Sequence, residues 1–338
     1  MNKFLSLFLI IALLLGNVAL SAPLTEPSSL DDSITPSPVE SKSAVVNVPI
    51  DLEAAYNAEY DTLNLQSKNI SDLSFIDESF IKQYPTLKAL WLSDNQIEDL
   101  SPLSALQGLE ALALNDNHIV NLEPLSALDS LFSLDVSNNS QLVDISPLSS
   151  LQSLTALRMA NCNISDLTPI SSLYNLRILT ADNNKITDIS MLSELQGLTH
   201  LYLSENPFKS IEVLLQLPEL TQLAVGSESI VLDSSVISAL TKLEVLNFTR
   251  QGLISIAFLA PLKHLSTLNL ADNQITDISG LSELSSLWVV DLTNNKIADL
   301  SPLLKLPILQ SVTVTGNPIS EEHMAELYEQ GWNFYTEF

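Results

Sequence analysis

From residue 60 onward, apolar residues return in a fixed order. Counted from the first Leu of LKALWLSDNQIEDLSPLSALQG (87–108), they occupy offsets 0, 3, 5, 10, 13, 16 and 19. The same order runs through LEALALNDNHIVNLEPLSALDS (109–130), LRILTADNNKITDISMLSELQG (176–197) and LSTLNLADNQITDISGLSELSS (265–286). Copies start at 87, 109, 131, 154, 176, 198, 220, 243, 265, 287 and 309, and a degenerate one starts near Tyr60. That makes about 12 repeats of 22–23 residues over 60–319. A period in this range signals a solenoid, in which no single copy can bury its own apolar edge.

Each offset predicts a piece of local structure. Apolar residues at 3 and 5 alternate with polar neighbours, a period of two, so each copy opens with a short strand that has one buried face. Successive copies stack these strands into a parallel sheet. Asn stands at offset 8 in eight copies, at Asn95, Asn117, Asn139, Asn184, Asn206, Asn273, Asn295 and Asn317. Its amide is expected to end the strand by pairing with the turning backbone of its own and the next copy. Lys68, Cys162, Glu228 and Gln251 interrupt this ladder. Cys162 is expected there as a buried structural thiol. The remaining residues of each copy, typified by DLSPL, leave room only for a 3₁₀ turn or a brief helix. The fold class is therefore an α/β solenoid with a parallel β-sheet on one side and short 3₁₀ or irregular turns on the other.

The chain ends depart from the repeat. Residues 1–22, MNKFLSLFLIIALLLGNVALSA, begin with Lys3, continue as an apolar run and end in small residues. The run is shorter than the roughly 20 residues that span a bilayer, so it reads as a cleaved secretory signal. Export is expected, to the periplasm or the extracellular space, with no transmembrane segment left after cleavage. Residues 23–47, rich in Pro and Ser, read as a disordered linker. Residues 48–59 read as an N-terminal helical cap with Leu52, Ala55 and Tyr56 on one face. Residues 320–338 read as a C-terminal helical cap started by Ser320, with Met324, Leu327 and Tyr328 as its apolar stripe and Trp332 and Phe334 beyond Gly331.

Composition narrows the function. With 14 Lys+Arg against 40 Asp+Glu, the formal charge is −26, which excludes a phosphate backbone as partner. One Cys rules out an intrachain disulfide framework and a multi-Cys zinc site. The four His, at 118, 200, 264 and 323, form no metal-ligating pair. Asp99, Asp144, Asp166, Asp188, Asp277 and Asp299 recur before the outer turn. Such a row raises calcium, but the Gly-containing ligand loops are missing, so local capping is the expected role. No nucleophile, base or Gly-rich phosphate loop stands in a catalytic pattern. The chain is expected to be a non-enzyme without cofactor or metal.

The pattern L-x-x-L-x-L-x-x-N-x-I-x-D-L-S-P-L, as in Leu87 to Leu103 and Leu287 to Leu303, resembles the leucine-rich repeats of bacterial internalins. That resemblance implies an arc with the sheet on its concave side, and recognition of a protein by that side in adhesion or host contact. No LPxTG-like sorting signal, wall-binding module or immunoglobulin-like segment follows the repeats here.

Offsets 2, 4 and 6 should project from the concave sheet. The middle column reads Asn64, Trp91, Ala113, Asp135, Arg158, Thr180, Tyr202, Ala224, Asn247, Asn269, Asp291 and Thr313. Aromatics and Arg dominate binding energy at protein interfaces, so Trp91, Arg158 and Tyr202 are the expected anchors. Asp135, Asp182, His200 and Asp291 complete the candidate set. A protein partner, such as a cell-surface protein, is expected on this face, with the chain itself a monomer. The alternative is a glycan stacked on Trp91 and Tyr202, although a glycan groove ordinarily carries a row of aromatics.

Overall fold

The computed structural model describes residues 51–227, 233–332 and 335–337, the last three by their backbone alone. The expected signal, the linker, Glu228 and Phe334 lie outside the described residues.

Apolar alternation produces what it predicts. Strands β1 (Tyr56–Asn57), β2 (Thr62–Asn64), β3 (Ala89–Trp91), β4 (Ala111–Ala113) and β5 (Ser133–Asp135) begin the sheet. It continues through β6 (Ala156–Arg158), β7 (Ile178–Thr180), β8 (His200–Tyr202), β9 (Gln222–Ala224) and β10 (Val245–Asn247). It ends with β11 (Thr267–Asn269), β12 (Val289–Asp291), β13 (Ser311–Thr313) and β14 (Tyr335–Glu337). These strands lie side by side in chain order, unclosed. All neighbours pair in parallel except β1 with β2, which is antiparallel. From β2 to β13 the middle residue of each strand, such as Leu157 or Leu179, is buried, while its flanking residues face the concave side.

The repeat's apolar offsets all point into one continuous core. In the copy at 176, Leu176, Leu179, Ala181, Ile186, Ile189, Leu192 and Leu195 are all buried. Burying each such Leu or Ile contributes about 1.5–3 kcal/mol, a gain available only with both neighbouring copies in place. On the convex side most copies make a 3₁₀ turn, as at Ser101–Ala105, where Pro occupies the first turn. The recurrent carboxylates sit just ahead of these turns. Asp99, Asp144, Asp166, Asp188, Asp277 and Asp299 each accept the backbone N–H two residues on, at 2.8 Å.

The Asn ladder forms with one correction. Asn95 Oδ1 accepts the N–H groups of Lys68 and Ile70, and its Nδ2 donates to the carbonyls of Leu65, Leu92 and Ser93. The ladder Asn thus ties its own strand end to the preceding copy, not to the next one. Side-chain direction explains this: the amide leans back into the loop whose carbonyls and N–H groups the earlier strand end leaves unpaired. The residue before each ladder position has positive φ, at Ser67, Asp94, Asp116, Asn138, Asn161, Asn183, Glu205, Arg250, Asp272 and Asn294. Asn and Asp tolerate that left-handed conformation, which explains the recurring Asp-Asn and Asn-Asn pairs.

Cys162 is buried, and its thiol donates to Val136 O at 3.4 Å. A thiol cannot replace the acceptor that an Asn supplies to the preceding loop. Here it is not needed: that loop belongs to a 23-residue copy and closes on itself, Leu142 N donating to Asn139 O at 2.9 Å.

Three copies replace the regular outer turn with a helix or end in one. The N-terminal segment has α1 (Leu52–Ala55), and Tyr56, expected to continue that helix, instead begins β1. Its ring lies 4.7 Å from that of Tyr84, at the end of α2 (Glu78–Gln83), a helix inside the degenerate first copy. The copy at 220–242 carries α3 (Ser234–Ala239), started by Asp233. The C-terminal α4 (Glu321–Glu329) starts at Ser320, whose hydroxyl accepts His323 N. Met324, Leu327 and Trp332 close the core, whereas Tyr328, expected in the same stripe, is exposed. Unexpectedly, the chain then returns to the sheet as β14.

Candidate functional site on the concave sheet

The middle column stands in register across the sheet. Asp135 pairs with Arg158, Arg158 with Thr180, and Thr180 with Tyr202. With neighbouring strands roughly 4.8 Å apart, β5 to β8 present Asp135, Arg158, Asp182, His200 and Tyr202 within one patch. Trp91 lies two strands before it on β3, and Asp291 four strands beyond it on β12, so neither belongs to the patch itself.

Each polar group of the patch is held differently. Asp135 Oδ1 accepts Ser137 N at 3.0 Å, and Asp182 Oδ1 accepts Ser204 N at 2.9 Å. Burial pushes both carboxyls up, Asp182 to about 6. Tyr202 donates its hydroxyl to Gln222 Oε1, and burial lifts its pKa to about 12. His200 Nδ1 sits 2.8 Å from Thr199 Oγ1, and burial lowers its pKa. Asp291 accepts Thr293 N at 2.9 Å, a local turn contact. Trp91 packs, together with Phe132, over the fully buried Ala89 and Ala111.

Arg158 is the exception. Only 8% of it is exposed, and its Nη1 is buried without a hydrogen-bond partner. The neighbouring carboxylates of Asp135 and Asp182 are engaged by backbone amides. Arg158 lines a pocket of about 170 Å³ with Phe132, Ser133, Thr155, Ala156, Arg177 and Ile178. Two of its lining residues, Ser133 and Ala156, are small residues at offset 2 on β5 and β6.

The family described as leucine-rich repeats (two copies) matches residues 85–127, 152–194 and 263–305. The matched stretches are leucine-rich repeats, and the fold is that of a leucine-rich-repeat arc. Among solved structures, an internalin (InlF) of Listeria monocytogenes is similar at 28% identity, over 82% of this chain and 86% of that one, with a TM-score of 0.66. A leucine-rich-repeat protein of Leptospira interrogans shares the fold at 21% identity, over 76% of this chain and 74% of that one, with a TM-score of 0.62. So does the functional domain of Listeria monocytogenes InlJ, which includes a cysteine ladder, at 22% identity, over 78% of this chain and 65% of that one, with a TM-score of 0.54. Comparison with curated protein sequences finds no match.

On a leucine-rich-repeat sheet, offset 1 belongs to the entrance of the strand, and reading only offsets 2, 4 and 6 misses Phe132, Thr155 and Arg177. The detectable signal was Phe132 and Arg177 in a column otherwise mostly polar, beside the run of small offset-2 residues. Among the described residues no three His, Cys, Asp or Glu side chains converge as a metal site, and no helix is long and apolar enough to cross a membrane.

Proposed function

We propose that the chain is an exported, non-enzymatic recognition protein that holds a protein partner against its concave sheet. Arg158 anchors the centre of that contact, with Trp91 and Tyr202 to either side and Asp135, Asp182, His200 and Asp291 around them. The observation that carries this reading is the buried Arg158 side chain with an unpartnered Nη1 on the concave face, where among the described residues the other buried side-chain atoms without a partner, Tyr84 Oη and Gln251 Oε1, lie outside the candidate set. The charge of Asp135 on the adjacent strand acts on Arg158, but a buried donor without a hydrogen bond is costly, and a polar group from a partner would supply that bond. Removal of residues 1–22 places the mature protein in the periplasm or outside the cell, as a monomer.

The test is capture of surface proteins on the immobilised mature chain, run beside a glycan array, followed by affinity measurements with Trp91→Ala, Arg158→Ala and Tyr202→Ala. Thermal melts establish that each variant folds. A loss above about 1–2 kcal/mol from any one marks a binding hot spot. If all three folded variants bind like the parent, the concave-face reading fails. Retention on glycans with no captured protein would assign the face to sugars instead.

A further inference from the structure

The concave-face reading says where a partner sits, and the Arg158 pocket says what one part of it is made of. We infer that this pocket receives an acidic side chain of the protein partner, with its carboxylate on Arg158 and its methylene groups against Phe132 and Ile178. The inference rests on the proposed concave-face function and gives it a ligand chemistry.

Three observations converge. Arg158 is nine-tenths buried, yet its Nη1 lacks a hydrogen-bond partner. Guanidinium is a planar fork whose natural complement is a carboxylate, which it binds through two parallel hydrogen bonds. Asp135 and Asp182 each accept a backbone N–H, from Ser137 and Ser204, and although the charge of Asp135 acts on Arg158, neither carboxylate hydrogen-bonds its Nη1. Arg177 adds a second positive group at the rim, its Nη1 donating to the carbonyls of Tyr174 and Leu176.

Size and lining restrict the guest further. A pocket of about 170 Å³ is close to the roughly 150 Å³ cavity that holds one benzene. It has room for a carboxylate on one or two methylene groups, not for a nucleotide or a sugar chain. Phe132, Ala156 and Ile178 supply apolar walls, which suit methylene groups and strengthen a charge pair by excluding water. A free inorganic anion would leave those walls uncovered.

The experiment titrates the full-length mature protein, with Ile methyl groups labelled, with N-acetyl-glutamate N-methylamide, its glutamine counterpart and N-acetyl-phenylalanine. Saturable shifts at Ile178 are expected with the glutamate compound, at least tenfold tighter than with the glutamine compound. Arg158→Met, which keeps the side chain's length and apolar character, should abolish that difference. It should also raise the melting temperature, because it removes a buried donor that the fold leaves without a hydrogen bond. A merely structural Arg158 would make the same substitution lower the melting temperature. Equal response to glutamate and glutamine compounds, or an unchanged response in Arg158→Met, overturns the inference. Tighter binding of N-acetyl-phenylalanine would move the carboxylate to a chain end and overturn the side-chain assignment. Should the probes fail while Trp91→Ala and Tyr202→Ala still weaken the captured partner, only the carboxylate inference falls and the concave-face function stands.

Discussion

The two edges of the strand treat buried polar groups in opposite ways. Beyond the strand's end, seven of the eight ladder Asn are buried, and their amides are used: Asn184 Oδ1 accepts Ile164 N, and its Nδ2 donates to the carbonyls of Met159, Ala181 and Asp182. At the strand's centre, on the concave face, Arg158 is buried to a similar degree and its Nη1 is paired with nothing. The ladder Asn amides are saturated by the fold, whereas at the interrupted ladder position Gln251 Oε1 is left without a partner. A group left unsaturated, at the same depth and on the same sheet, marks where the fold alone does not account for the residue.

Breaking the saturated side should have the largest effect. Asn184→Leu strands one N–H and three carbonyls, each of which costs on the order of 1 kcal/mol or more when buried unpaired, so a loss of about 3 kcal/mol is expected. Urea unfolding of the variant against the parent measures it. A loss below about 0.5 kcal/mol, within the range of an ordinary surface substitution, would show that the ladder is decorative.

The concave side should respond with the opposite sign. Burial raises the Asp182 carboxyl from its ordinary 3.8 to about 6 in the folded chain. Its ionised form is thus disfavoured by folding, and stability is lost as pH rises through about 6. Asp182→Asn keeps an acceptor for Ser204 N and removes the charge. It should therefore stabilise the chain at pH 7.5, by at most about 3 kcal/mol, and the gain should shrink as pH falls toward 4. Melts at pH 4.5, 6 and 7.5 check the sign. A gain that stays constant across this range would contradict the titration argument.

Cys162 should give the smallest effect. Its preceding loop is already closed by Leu142 N, so Cys162→Asn is expected to change stability by less than about 1 kcal/mol. The buried thiol, pushed up to about 11, should react slowly with a thiol reagent at pH 8 until the chain unfolds. Fast labelling of the native protein would mean that this part of the ladder opens.

The arc was legible because its period is carried by many Leu positions, each with a single possible side of the sheet. The column order at offset 4 was legible for the same reason, and the strands fall into the expected register from Asn64 to Thr313. What escaped the sequence depends on side-chain direction. Nothing in Ala156-Leu157-Arg158 says that the guanidinium lies down over small neighbours instead of reaching into solvent. The contact of Asp135 with Ser137 is local and could have been read from its spacing, but that of Asp182 with Ser204 crosses between copies. The backward lean of the ladder Asn and the return of the chain as β14 were equally invisible to periodicity, which fixes faces and not directions.

The central claim is that the concave centre, and not the saturated remainder of the arc, is where the partner binds. It is tested most directly by the affinity of one captured partner for matched variants of the two faces. Arg158→Ala and Tyr202→Ala on the concave side are compared with Asp188→Ala and Glu212→Ala at the convex turns, each verified by its melt. The account predicts a loss of at least tenfold for a concave variant, equivalent to about 1.4 kcal/mol, and less than twofold for both convex ones. Unchanged binding by the concave pair together with loss in the convex pair would contradict it.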